Sequence, residues 1–262
     1  MPLTSWKLGT IAGTPILLHP SFLIVPFVIS VGGYGFLGLL FALMLYLAML
    51  LHEIGHALTA RAYGIATSQI KIYPLGCHAS LVRRARSAGP EILILLAGPL
   101  TNLTVLAIVW PVSRFLGPLM PEALAAGLKH FFWINVGVFA FNFLPFFPFD
   151  GAAILRALLA TRIGKYRATE FLAILGRYVG VIGGLYFFVE GPWFGWVLAP
   201  LIYFAGGIEQ LNIGREQDLR RKAEGFPDPD PGFHWVDRGD GVWTLKPLTA
   251  NRFQGPTTSR NP

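Results

Sequence analysis

The chain has 262 residues, of which 53% are hydrophobic and 13% charged, with a mean hydropathy of +0.54. That balance excludes an ordinary water-soluble domain and specifies a polytopic membrane protein. The net charge of +7 comes with no basic helix or aromatic-interleaved basic patch, so it excludes nucleic acid as a partner and points to charge asymmetry across a bilayer.

A bilayer span needs about 17–25 apolar residues, and the first such run is expected over 16–32. Only Lys7 precedes it and no small-x-small cleavage site follows, so it is expected to remain as a span and not to be removed as a signal peptide. The second run, 35–60, contains His52-Glu53-Ile54-Gly55-His56. Ionisable side chains at membrane depth cost several kcal/mol, which makes the cluster a functional feature by default. On a helix His52 and His56 lie one turn apart on one face, so both imidazoles reach one metal ion at about 2.0–2.1 Å. Zinc held there would acidify water and polarise a carbonyl, with Glu53 placed to take the proton and pass it to a leaving amine.

Polar and apolar residues alternate over Ser68–Tyr73, Pro74-Leu75-Gly76 turns, and Cys77–Val82 follows, predicting a short hairpin at the membrane surface. Cys77 is the one cysteine, which excludes an internal disulfide and any zinc-ribbon spacing. Cys77 and His78 read more simply as a polar turn than as metal ligands. His19 reads as interfacial, and His130 and His234 as loop residues.

The third run is expected over 91–113 and the fourth over 131–151, closing in Asn142-Phe-Leu-Pro-Phe-Phe-Pro-Phe-Asp150-Gly151. Pro145 and Pro148 lie within one turn, which hydrocarbon tolerates only where the backbone is enclosed by protein or lines a wet cavity. A catalytic zinc needs a third protein ligand and an open fourth position. Apart from Glu53, Asp150 is the only carboxylate well inside a long apolar segment, so it is the candidate. Two shorter runs over 172–189 and 192–208 flank Glu190-Gly191-Pro192, and Arg177 in the first must snorkel toward an end.

Six spans place the loops holding Arg61, Lys71, Arg83, Arg84 and Arg86, and those holding Arg156, Arg162, Lys165, Arg167 and Arg177, on one side with Lys7 and the 215–222 cluster. By the positive-inside rule that side is cytoplasmic, together with both termini and the opening of the site. The expected fold is an all-α polytopic membrane protein of about six transmembrane helices with a short membrane-surface β-hairpin. Residues 1–210 form the transmembrane domain and 211–262 a cytoplasmic tail, Pro-, Gly- and Asp-rich from Gly225 and largely irregular.

His-Glu-Ile-Gly-His in one span and Asn142–Gly151 in another resemble the two signatures of the site-2 protease family of intramembrane zinc metalloproteases. Ala97–Asn102 in the third span and Gly13–Phe22 at the start are also similar to family elements, so the likeness covers roughly residues 7–208. The resemblance implies one Zn2+ per chain on His52, His56 and Asp150, Glu53 as catalytic base, and Asn142 and Asn102 supporting site or substrate. It implies a transmembrane protein as substrate, cut within or beside its membrane segment. Many relatives carry a PDZ or CBS module, for which the loops and tail here leave no room, so the likeness is to a compact member. Where relatives often have Gly-Gly-x-Ala in the surface hairpin, this chain has Leu75-Gly-Cys-His-Ala79.

A second class of function uses the same three ligands: a membrane metal transporter or metal sensor. Glu53 separates the two, because a transport site needs no carboxylate for proton transfer. A membrane zinc protease with a downstream Glu ligand is a weaker fit, since Glu170, Glu190 and Glu209 lack the expected helical motif. Gly32, Gly33 and Gly35 offer hinge points between the first two spans.

Overall fold

The computed structural model describes residues 5–74, 76–83, 85, 87–190, 195–223, 225, 233–237 and 243–247. Its first element is not a helix. Strands β1 (Trp6–Ile11) and β2 (Thr14–Leu18) form an antiparallel hairpin about Ala12 and Gly13, which both have positive φ, 50° and 81°. A two-residue turn with both φ positive matches the twist of paired strands, and glycine suits it best. The expected span over 16–32 therefore starts in a strand, and only Pro20–Gly32 forms a short apolar helical stretch, whose central part is α1 (Ile24–Ile29).

Helix α2 (Gly35–Ala62) carries the histidine motif. After it β3 (Thr67–Tyr73) and β4 (Gly76–Leu81) form the expected hairpin; Leu75 of the turn, with Arg84 and Arg86 beyond it, lies outside the described residues. The hairpin does not stand alone. Strand β2 pairs in parallel with β3, with Ile16 opposite Ile70, giving a sheet in the order β1-β2-β3-β4. The chain is thus mostly helical with a small sheet and not all-α. Tyr46 of α2 fastens the sheet: its hydroxyl lies 3.0 Å from Phe22 O and 2.9 Å from Pro74 O, and its ring packs with Ile16 and Ile72.

Helices α3 (Ala88–Pro111), α4 (Glu122–Asn142), α5 (Asp150–Ile163), α6 (Lys165–Val189) and α7 (Gly195–Ala223) follow. Among the described residues four helical stretches are long and apolar enough to cross a membrane: Gly35–Ala62, Ala88–Leu119, Glu122–Asn142 and Lys165–Tyr186. Their outer faces carry large apolar side chains such as Phe36, Leu37, Trp133 and Leu185, while Ala48 packs against Ile134 and Val138 of α4 and Ala60 against Ile94 of α3. Small residues inside and bulky ones outside is how helices associate in lipid, where burying a leucine gains little. Gly206 of α7 continues the pattern, since a Cβ there would stand 2.7 Å from Ala173 Cα of α6.

The expected fourth span ends early. Helix α4 stops at Asn142, residues 143–149 turn through a cis Phe147–Pro148 bond, and Asp150 opens α5 instead of closing a span. Gly151 permits the reversal, because a Cβ there would lie 2.5 Å from Phe143 O and 2.6 Å from Leu144 O. Arg156, expected in a cytoplasmic loop, is buried in α5. In the expected tail, α7 runs on to Ala223, and β5 (Phe233–Asp237) pairs antiparallel with β6 (Trp243–Pro247). Gly191 and Pro192 of the predicted break lie outside the described residues.

Candidate metal centre

The i, i+4 spacing on α2 stacks His52 and His56 edge to face, with ring centroids 4.7 Å apart. Helix α3 fits closely against them because two glycines face each other's helix. A Cβ on Gly55 would stand 2.6 Å from Ala97 O, and one on Gly98 would stand 2.3 Å from His56 Nε2 and 2.6 Å from His52 Nε2. From the other side the turn before α5 delivers Asp150, whose Oδ2 lies 2.9 Å from His52 Nε2 and 3.1 Å from His56 Nε2. As the first residue of a helix, its carboxylate also sits at the favourable end of the helix dipole.

Proton positions decide what this triangle is. His52 Nδ1 is 2.6 Å from Asn102 Oδ1, and His56 Nδ1 is 2.7 Å from Ile94 O. Both partners are acceptors, so both Nδ1 atoms are donors and each neutral ring presents a bare lone pair at Nε2. The two Nε2 atoms are 3.0 Å apart, and Asp150 Oδ2 faces both. Three lone pairs at this spacing repel unless a cation lies among them. A tetrahedral zinc with bonds of about 2.0–2.1 Å separates its ligand atoms by about 3.3–3.4 Å, so the triangle fits after opening slightly.

Glu53 points to the same place from the neighbouring helical position. Ligand atoms of His52, Glu53 and His56 lie within 4.8 Å of one another, and Glu53 Oε2 accepts from Ala79 N–H of β4 at 2.7 Å. One hydrogen bond therefore ties the outer edge of the sheet to the carboxylate beside the metal ligands. A cleft of about 1350 Å³ opens here, lined by His78 and Ala79 of β4, Phe147, Asp150, Arg156 and Phe204 of α7.

The sequence-predicted residues do not all converge. Asn102 reaches His52, whereas Asn142 Nδ2 donates to Val138 O of its own helix at 2.9 Å. The Cys77 side chain packs beneath Tyr46 O; burial, reinforced by the Glu53 carboxylate, pushes the thiol up to about 12, so it stays protonated and is a poor ligand. His78 pairs with Lys71 across the hairpin. Sequence reading missed Gly98, although it lies within the Ala97–Asn102 element. It also missed Arg156, which lines the cleft, is 4% exposed and is ion-paired with Glu91 of α3 and Glu209 of α7.

The sequence profile of peptidase family M50 matches residues 40–132 and 113–187, which together make up more than half of the chain. The chain belongs to peptidase family M50. Zinc metalloprotease MJ0392 of Methanocaldococcus jannaschii is 27% identical over 236 residues, covering 87% of this chain and 68% of that one. Rip3 of Mycobacterium tuberculosis is 29% identical over 240 residues, and the match covers 60% of its length. The structure of a site-2 protease from M. jannaschii superposes with a TM-score of 0.62 at 26% identity, covering 79% of this chain and 95% of that one. The protease reading of the triad is thereby favoured over metal transport or sensing, and zinc is the metal that the donor set and the relatives agree on.

Proposed function

We propose that this zinc metalloprotease cleaves a peptide bond within or next to a transmembrane segment of another membrane protein, with His52, His56 and Asp150 as metal ligands and Glu53 as the proton carrier. The observation that carries the reading is the meeting of two bare Nε2 lone pairs and a carboxylate oxygen within 3.1 Å, beside a further carboxylate, in helices whose outer faces are apolar. Zinc supplies Lewis acidity, which polarises the scissile carbonyl and acidifies water. Asp150 and the two imidazoles fix the ion's place. Glu53 accepts the water proton and returns it to the departing amide nitrogen, so that the C–N bond breaks with a neutral amine leaving. The Ala79 N–H holds the Glu53 carboxylate in reach of that path.

A substrate helix has its carbonyls tied up in its own hydrogen bonds and must unwind to be attacked. Strand β4 is the last strand of the sheet, and residues 78–82 line the cleft. An unwound segment adding to that edge runs past Glu53 with its backbone satisfied by strand pairing. We place the cleft mouth and both termini on the cytoplasmic side, supported by the Lys and Arg excess there. Pro20–Gly32, shorter than a usual span and so accommodated by local thinning of the bilayer, and the apolar first half of α7 make up six crossings, and the residues from 211 on form a cytoplasmic unit.

The test is Glu53→Gln in the native membrane. Full-length membrane proteins should accumulate only in the variant, while the purified variant keeps stoichiometric zinc. Unchanged substrate levels with zinc retained would overturn the role of Glu53.

A further inference from the structure

Behind Asn102 the metal centre has a further support, Asn135, that neither the motifs nor the family match assigns. Asn102 presents its carbonyl to His52, but an amide has two ends of nearly equal size and must be told which way to face. Its Nδ2 donates to Asn135 Oδ1 of α4 at 3.0 Å, with Ala48 O at 3.4 Å as a second acceptor. Asn135 is itself oriented, because its Nδ2 donates to Phe131 O at 2.8 Å, which leaves only its oxygen for Asn102. Asn102 and Asn135 are both fully buried, so water cannot substitute for either partner. Donation runs one way, from His52 Nδ1 to Asn102, from Asn102 to Asn135, and from Asn135 to Phe131 O.

On the reading of this site as a zinc centre, we infer that Asn135 is a positioning residue that sets the tautomer of His52. With the Asn135 acceptor in place, Asn102 offers Oδ1 to His52, the ring proton stays on Nδ1 and Nε2 is free to ligate. Without it, only the long contact to Ala48 O at 3.4 Å still favours that orientation, and the Asn102 amide can turn its NH2 toward the ring. That orientation demands a lone pair at Nδ1 and moves the proton to Nε2, which removes a ligand. Asn135 touches neither substrate nor reacting atoms; it acts on α2 through α3 from α4. Loss of such outer partners typically costs about 10–100-fold in metal affinity.

The experiment measures zinc affinity of the purified full-length protein in detergent by chelator competition, with the ligand-field spectrum of the Co2+-substituted protein as a second readout. Asn135→Leu should weaken zinc binding about 10–100-fold and alter the Co2+ spectrum. Asn135→Asp should restore both, because a buried protonated carboxyl donates to Phe131 O and accepts from Asn102 in the same arrangement. Thr169→Val serves as the control: Thr169 is equally buried, its hydroxyl bonds Lys165 O of its own helix, and its loss should leave zinc affinity unchanged. Wild-type affinity in Asn135→Leu, no rescue by Asn135→Asp, or an equal loss in Thr169→Val would each overturn the inference. If Asn135→Leu fails to fold, Asn135→Asp decides against it by binding zinc weakly while melting normally. A wild-type protein that bound no zinc would instead refute the metal centre itself, which separates the two failures.

Discussion

Replacing Gly98 with alanine adds one methyl group and should disable the metal centre. The new Cβ would stand 2.3 Å from His56 Nε2, 2.5 Å from His56 Cε1 and 2.6 Å from His52 Nε2, where ordinary contact begins at 3.4 Å. Neither ring can retreat freely, since His56 Nδ1 is held by Ile94 O at 2.7 Å and His52 Nδ1 by Asn102 Oδ1 at 2.6 Å. Moving α3 away instead would open the Gly55–Ala97 contact along the same interface. Overpacking of this kind costs about 1–3 kcal/mol. Because the strain falls on the ligand atoms, most of it should appear as lost zinc affinity, about 5–150-fold at about 1.4 kcal/mol per decade. Chelator competition on the purified variant reads this directly, with thermal unfolding alongside to separate lost metal from lost fold. An alanine variant that holds zinc as tightly as the wild type, at an unchanged melting temperature, would show that the close approach of α3 to the imidazoles is not as described.

Two further outcomes follow from the same geometry. Ala79→Pro removes the N–H that Glu53 accepts and interrupts the outer edge of β4, so cleavage should fall by at least about tenfold with zinc content unchanged; normal cleavage would refute strand addition at that edge. Arg156→Leu removes the buried cation that pairs with Glu91 and Glu209, a change that typically costs about 3–5 kcal/mol. Its melting temperature should drop and recover in part when Glu91→Gln and Glu209→Gln are added, whereas a wild-type melting temperature in the single variant would dismiss the ion-pair reading.

The errors in reading the sequence have a common origin. Trp6-Lys7-Leu8 alternates and Gly13 marks a turn, so β1 and β2 were signalled, but the apolar run that follows dominates any window long enough to detect a span. The same averaging carried the predicted fourth span through 143–149, although Pro145, Pro148 and Gly151 all lie where the chain turns. Asn102 and Asn142 stand in separate signatures, and of the two Asn102 reaches a ring, while Asn142 donates to Val138 O of its own helix and Asn135, which carries no local signal, bonds Asn102 behind His52.

The sequence alone determined what depends on neighbours along the chain: the helical stretches that face lipid, the hairpin at 67–81, and the His52–Glu53–His56 arc, because a helix repeats every 3.6 residues and brings i and i+4 together by itself. The fold decided whatever joins distant segments. The chain must reverse after Asn142 for Asp150 to meet imidazoles 94 and 98 residues earlier, and α3 and α4 must approach closely enough to fix the rings' protons. Such pairings have no period to read, since they arise only when glycines, prolines and buried amides on separate helices come into contact.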